Sequence, residues 1–303
     1  MSTSHAAAAA RFIENMERTS WHNQALWFVR QKRDRVSKQL PEWEELRQLA
    51  HDIKRYNVTH LDSLLERFEA KAQANGVTVH WAVDAEEHNR IVHGLLEQHG
   101  VKRLVKSKSM LSEECELNAY LMARGIDVIE SDLGERILQL MHQRPSHIVM
   151  PAIHIKREEV AELFAREMGT DPGNSDPTYL THAARANLRR HFLEADAAMT
   201  GGNFAIAETG EVVVCTNEGN ADMGMACQKL NICSFGIEKV IESLDQLAVF
   251  QRLLARSATG QASTTYTSSF RKPQEGGELY FVIVDNGRSS IIANKEHDKL
   301  LNC

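Results

Sequence analysis

The stretch VTVHWAVDAEEHNRIVHGLLEQHGVKRLVKSKSMLSEECELNAYLMARGIDVIES (residues 77–131) carries the architecture in its spacing. VTVHWAV (77–83), RLVKSK (103–108) and DVIES (127–131) are short apolar runs rich in Val and Ile, which predicts strands. Between them, residues 84–98 and 112–124 repeat apolar side chains at helical spacing. Strand and helix alternating in this order predict an α/β fold: a mainly parallel sheet flanked by helices. In such sheets ligands collect at the loops that follow the carboxyl ends of the strands.

The same texture continues downstream. HIVMPAI (147–153) reads as a further strand, and 133–142 and 156–168 read as helices. TDPGNSDP (170–177) is rich in turn residues and predicts a loop before a helix at 178–192. FAIAETGEVVVCTNEG (204–219) predicts a hairpin turning at Gly210. NICSFGI (231–237) and LYFVIVDNG (279–287) predict strands, with a helix at 244–257. Upstream, residues 1–75 have no strand signal. Trp21, Leu26, Trp27 and Val29 form one helical stripe, and Trp43, Leu46, Leu49 and Ile53 form another. Pro41 stands where a helix can start, and a third helix is expected near 62–75. The expected organisation is a helical N-terminal extension (1–75), an α/β domain (76–300) and three terminal residues (301–303).

Composition narrows the function. The 303 residues carry a net charge of -6, which opposes a nucleic-acid surface. No apolar run reaches the length of a transmembrane helix, and the alanine-rich start gives way to charged helical sequence and not to a signal-peptide core. Five cysteines, Cys115, Cys215, Cys227, Cys233 and Cys303, form no C-x-x-C pair. An odd, scattered set fits free thiols in a reducing cytoplasm.

Chemistry-bearing residues cluster at the predicted strand ends. Lys106, Ser107, Lys108 and Ser109 precede a helix with Ser112 as its expected cap; two ammonium groups, hydroxyls and helix amides suit a carboxylate or phosphate. Glu130, Asp132 and Glu135 crowd the next junction, where crowding raises a carboxyl pKa; an N-cap at Asp132 with a capping box to Glu135 is the simpler explanation. His154, at the end of the fourth expected strand, is a candidate acid or base. Gly202 and Asn203, then Glu208, then Asn217, Glu218 and Asn220, suggest a polar pocket with backbone approach at the glycines, and Glu208 is a second candidate acid or base. Arg288, after a D-N-G turn, can clamp a carboxylate. Neither G-x-G-x-x-G, G-K-[ST] nor G-x-S-x-G occurs.

LVKSKSM (104–110), ESDLGE (130–135), PSHIVMPAIH (145–154), GNFAIAETG (202–210), TNEGN (216–220) and VIVDNGRS (282–289) occur in this order. As a set they resemble the lactate-utilisation protein B family and its LUD domain, over roughly residues 20–303. The resemblance implies a fold similar to sugar-phosphate isomerases and CoA transferases. It also implies a cytoplasmic multi-subunit system, with A- and C-type partner subunits, that oxidises L-lactate to pyruvate. In that family an iron–sulfur segment with ferredoxin-like cysteine spacing follows the LUD domain. Cys303 then stands as the first ligand of such a run, and the 303 residues themselves are expected to hold no [4Fe-4S] cluster, which needs four thiolates. A non-catalytic scaffold that docks partner subunits through residues 1–75 is the alternative expectation. A CoA-transferase-type enzyme with Glu208 as nucleophile rests on fold analogy alone.

Overall fold

The computed structural model describes residues 5–294, 296–297 and 300–301. Six strands, β1 (Thr78–Ala82), β2 (Arg103–Lys106), β3 (Asp127–Glu130), β4 (Ala197–Gly201), β7 (Leu230–Gly236) and β10 (Glu278–Val284), form one sheet in the order β1-β10-β7-β4-β2-β3. Every pairing in it is parallel. The inner strands β7 and β10 show why the sequence reads so plainly: both are buried on both faces, β10 as an apolar run from Leu279 to Val284 and β7 as apolar residues with Asn231 and Ser234 buried among them. Phe235 and Phe281 point to one face, where they meet Phe68 edge-on and stacked. Ile232 and Val282 point to the other, against Leu96 and Leu104.

A second, smaller sheet joins β8 (Val240–Ile241), β5 (Phe204–Ile206), β6 (Glu211–Thr216) and β9 (Tyr266–Phe270) in the order β8-β5-β6-β9. The expected β5–β6 hairpin forms, and its turn requires glycine. Gly210 has φ +70°, and a Cβ there would run into the Ala72 amide and the Lys71 backbone.

That contact also locates the N-terminal region. Helices α1 (His5–Glu14), α2 (Met16–Ser37), α3 (Trp43–Thr59) and α4 (Leu61–Ala74) precede the first strand. Helix α4 buries Leu61, Leu64, Leu65, Phe68 and Ala72 in the main core, so the core reaches across the expected boundary at residue 75. Helix α3 places Leu46 and Ala50 against Leu253 of α12 (Leu244–Thr259). Helix α2 buries no residue and rests on the surface; Trp27 and Phe28 stay exposed.

Three expectations are corrected. The run 147–153 is not a strand. The His147 ring nitrogen accepts the Val149 and Met150 amides (3.0 and 3.1 Å), Pro151 has no N–H to give, and the segment closes as consecutive turns. The helix expected at 112–124 is broken at Glu116, which has φ +52°, into α6 (Met110–Glu114) and α7 (Leu117–Met122). Ser109, and not Ser112, caps α6: its hydroxyl accepts the Ser112 amide. The remaining helices are α5 (Ala85–Gln98), α8 (Leu133–Met141), α9 (Arg157–Met168), α10 (Pro177–Glu194), α11 (Asn220–Cys227) and α13 (Arg288–Ala293). None of the described helices is long and apolar enough to cross a membrane.

Candidate functional site

The carboxyl ends of the parallel strands open into one cavity of about 750 Å³. Its floor comes from the segments that leave those strands: Ser107–Ser109 after β2, Asp132 after β3, Gly201–Asn203 at the end of β4, Gly236 at the end of β7 and Arg288 beyond β10. The second sheet supplies Thr216, Asn217 and Glu218 on one side. The turns at 148–153 and the end of α12 supply an apolar wall, including Ile148, Met150 and Leu254. Glycine keeps the floor close-packed. A Cβ on Gly201 would come within 2.9 Å of the Ser109 hydroxyl, and one on Gly202 within 2.8 Å of Val212.

The two lysines that the sequence could not tell apart have different surroundings. Lys106 is fully buried beneath the floor. Register sets it opposite Glu130, whose carboxylate it meets at 2.8 Å, and Ser112 Oγ accepts from it at 3.2 Å. Lys108 reaches the cavity. Its Nζ lies 2.9 Å from Glu135 and donates to the Val149 carbonyl at 3.2 Å. An ammonium has three N–H groups; one goes to that carbonyl, and at least one of the others remains for a ligand.

Asp132 stands at the N-cap position of α8 without capping it, and no capping box forms with Glu135. Its Oδ2 accepts from the Lys108 amide (2.6 Å) and from Asn220 Nδ2 (2.7 Å). Burial, then the charges of Glu135 and Glu218, push its carboxyl up to about 7. Glu218 stands at the mouth, its carboxylate turned inward to accept the Leu133 amide at 3.2 Å at the α8 N-terminus. Desolvation chiefly, with Glu135 adding, also holds Glu218 above the ordinary value.

Of the residues singled out in the sequence, the cavity gathers Ser107, Lys108, Ser109, Asp132, Glu135, Gly202, Asn203, Asn217, Glu218 and Arg288. Several are held by other parts of the chain. Ser107 bonds Thr200 at 2.7 Å; Asn203 accepts the Cys215 amide at 2.8 Å; Asn217 accepts the Thr265 amide at 3.1 Å. Arg288 is tied to Glu114 (3.0 Å) and Glu238 (2.6 Å). Asn220 acts from below, through Asp132 and Ser131. His154 and Glu208 do not line the cavity. Because 147–153 is not a strand, His154 is carried onto the turn segment, where Ser146 (2.6 Å) and Gln143 (3.0 Å) occupy both ring nitrogens. Burial, then Arg18, holds its pKa down. Glu208 is exposed at the far end of β5, where it meets the Leu244 amide at 3.5 Å.

Sequence reasoning missed Ser234, Glu114, Glu238 and Lys239, which also line the cavity. Ser234 lies within an apolar strand and has no motif of its own. Its hydroxyl bonds the buried His88 at 3.0 Å, and His88 bonds Asn89 at 3.0 Å. Among the described residues no group of three or more His, Cys, Asp or Glu is placed to hold a metal ion. The described cysteines do not form the thiolate set of an iron–sulfur cluster, and Cys303 lies outside the described residues.

An α/β chain with a strand-end cavity of this kind is the class that fold and site define. Residues 65–292 match the LUD domain family, and the chain belongs to that family. Similar proteins include lactate utilization protein B of Geobacillus thermodenitrificans, 42% identical over 275 residues, which cover 88% of this chain and 57% of that protein. The Geobacillus kaustophilus protein of the same name is 41% identical over the same shares, and the Bacillus pumilus one 40% identical over 86% of this chain and 56% of its own length. The chain thus spans somewhat over half the length of the curated relatives it matches. A crystal structure of a DUF162 family protein from Deinococcus radiodurans aligns with a TM-score of 0.41 at 13% identity, over 74% of this chain and 98% of that one.

Proposed function

We propose that this chain serves lactate utilisation in the cytoplasm as the LUD-domain part of a B-type subunit, and that its strand-end cavity binds a small 2-hydroxy or 2-oxo carboxylate such as L-lactate or pyruvate. The observation that carries the reading is Lys108, with at least one unused N–H, beside Asp132 and the glycine floor at Gly201–Gly202. The ligand carboxylate lies against Lys108, and the 2-oxygen against Asp132 Oδ1, which no donor among the described residues reaches. The names of the relatives and the motif order support the lactate assignment. The finer reading is conversion of L-lactate to pyruvate within a system that includes A- and C-type subunits and iron–sulfur clusters. It rests on the resemblance alone; oxidation needs an electron acceptor besides these residues. The earlier candidates His154 and Glu208 take no part, since neither reaches the cavity.

Calorimetric titration with L-lactate and pyruvate tests this reading. Binding that is lost in Lys108→Ala supports it; unchanged binding in that variant would remove the cavity from the account. A scaffold role has one specific observation in its favour, the exposed Trp27 and Phe28 on α2. Removing 1–37 and asking whether partner subunits still co-purify tests that second role.

A further inference from the structure

We infer that the cavity takes up a proton together with its carboxylate ligand, and that Asp132 is the residue that carries it. The inference rests on the small-carboxylate reading above and adds the charge chemistry of the same site.

The argument starts from a count. Among the described residues lining the cavity there are five carboxylates and three cations. Every cation already has an acidic partner in place: Lys108 has Glu135 at 2.9 Å, Arg288 has Glu114 and Glu238, and Lys239 has Glu238 at 3.5 Å. Asp132 and Glu218 are the two acids left over, with no cation in salt-bridge contact. An arriving carboxylate therefore meets a site whose fixed charges sum to an excess of negative, at a residue, Asp132, whose own charge burial already disfavours. Such a site accepts an anion readily only if one of its own carboxylates becomes neutral.

Geometry selects Asp132 for that role. Both of its donors act on Oδ2, the arrangement that suits the carbonyl-like oxygen of a neutral carboxyl. Oδ1 is then the atom that holds the proton and donates it to the ligand oxygen. The charged groups around Asp132 press in the same direction. Glu135 from α8, Glu218 from the loop before α11 and Glu130 from β3 each disfavour a further negative charge there. Glu113 of α6 lies in the field of the same Lys106, Lys108, Glu130 and Glu135 group. The positive side of the neighbourhood is Lys108, whose amide stabilises the charged form, and Lys106, which is committed to Glu130. His147, on the turn segment beside Lys108, has its pKa lowered by burial and then by Lys108, so it adds no fixed positive charge at neutral pH. With burial and its acidic neighbours already raising the Asp132 carboxyl, the added negative charge of the ligand drives the proton onto it.

The test is calorimetric titration of the whole chain at pH 7.5 in buffers of different ionisation enthalpy, with L-lactate and acetate as probes. The expected result is uptake of about 0.5 to 1 proton per ligand, with Kd nearly flat below pH 6.5 and weakening up to about tenfold per pH unit above 7. Asp132→Asn should bind with no proton uptake and a pH-independent Kd, whereas Glu218→Gln should keep most of the uptake. Thermal melts of both variants confirm that they fold. Binding by the wild type without proton uptake, or undiminished uptake by Asp132→Asn, overturns the inference and leaves the carboxylate reading standing. No heat from either probe, with no ligand line broadening by NMR, overturns both together.

Discussion

Lys106→Met separates a structural lysine from a ligand-binding one. The side chain is 0% exposed and its partner Glu130 is 5% exposed, with 2.8 Å between Nζ and Oε1. Methionine matches the length of the aliphatic stem and removes the charge with its hydrogen bond to Ser112, so no large cavity term enters. It leaves Glu130 buried with Asn118 as its side-chain donor, at 2.6 Å. Breaking a buried pair from one side costs about 3–5 kcal/mol, because a desolvated charge is left uncompensated. With an unfolding entropy of about 2 cal/mol/K per residue, the chain of 303 residues has roughly 0.6 kcal/mol/K at the midpoint, so the melting temperature falls by about 5–8 °C. Circular dichroism melts give this directly. The double variant Lys106→Met/Glu130→Leu removes both charges and should recover most of the loss. A Lys106→Met melt within about 2 °C of wild type, together with loss of lactate binding, would refute the reasoning and return Lys106 to the ligand site.

Asp132→Asn should stabilise the protein at pH 7.5 by about 1–3 kcal/mol, discounted for partial exposure. The folded carboxyl is raised to about 7 above its ordinary 3.8, so the wild type loses stability as pH rises through that window, and the gain should vanish near pH 4 in urea titrations. Lys54 is buried, donates to the Glu238 carbonyl, and has its pKa lowered to about 8, chiefly by burial and then by Lys239. The unfolded chain therefore binds the extra proton between pH 8 and 10.5, and wild-type stability relative to Lys54→Met should rise across that interval by on the order of 3 kcal/mol; a constant difference would contradict the burial. Gly210→Ala forces a Cβ into the Lys71 and Ala72 backbone at a positive φ, and should cost about 2–4 kcal/mol in the same assay. Gly100→Ala, also at positive φ but with open space around it, should cost only about 1 kcal/mol.

β10 was legible because burial on both faces leaves an unbroken apolar run from Leu279 to Val284, and β7 because Ile232, Cys233 and Phe235 outweigh Asn231 and Ser234. β4 was not read as a strand: Ala197, Ala198 and Met199 carry no β-branched signature, and only its register between β2 and β7 makes it a central strand. HIVMPAI has strand composition, but the local bonds of His147 and the missing amide of Pro151 outweigh it. That one misreading displaced His154 from the expected site. At the site, sequence located the strand-end clusters and could not say which member of each faces the ligand. Lys106 and Lys108 look alike in a row of letters; pairing with Glu130 across the β2–β3 register is what buries the first. Asp132 looked like an ordinary helix cap, and only the approach of Asn220 from the second sheet's connection gives it another environment. Ser234 became visible once α5 brought His88 to it.

A crystal of the whole chain grown with L-lactate tests the central claim most directly. The account predicts ligand density between Lys108 Nζ and Asp132, over the Gly201–Gly202 floor. Density confined to another surface, or none at concentrations that saturate the calorimetric signal, would contradict it.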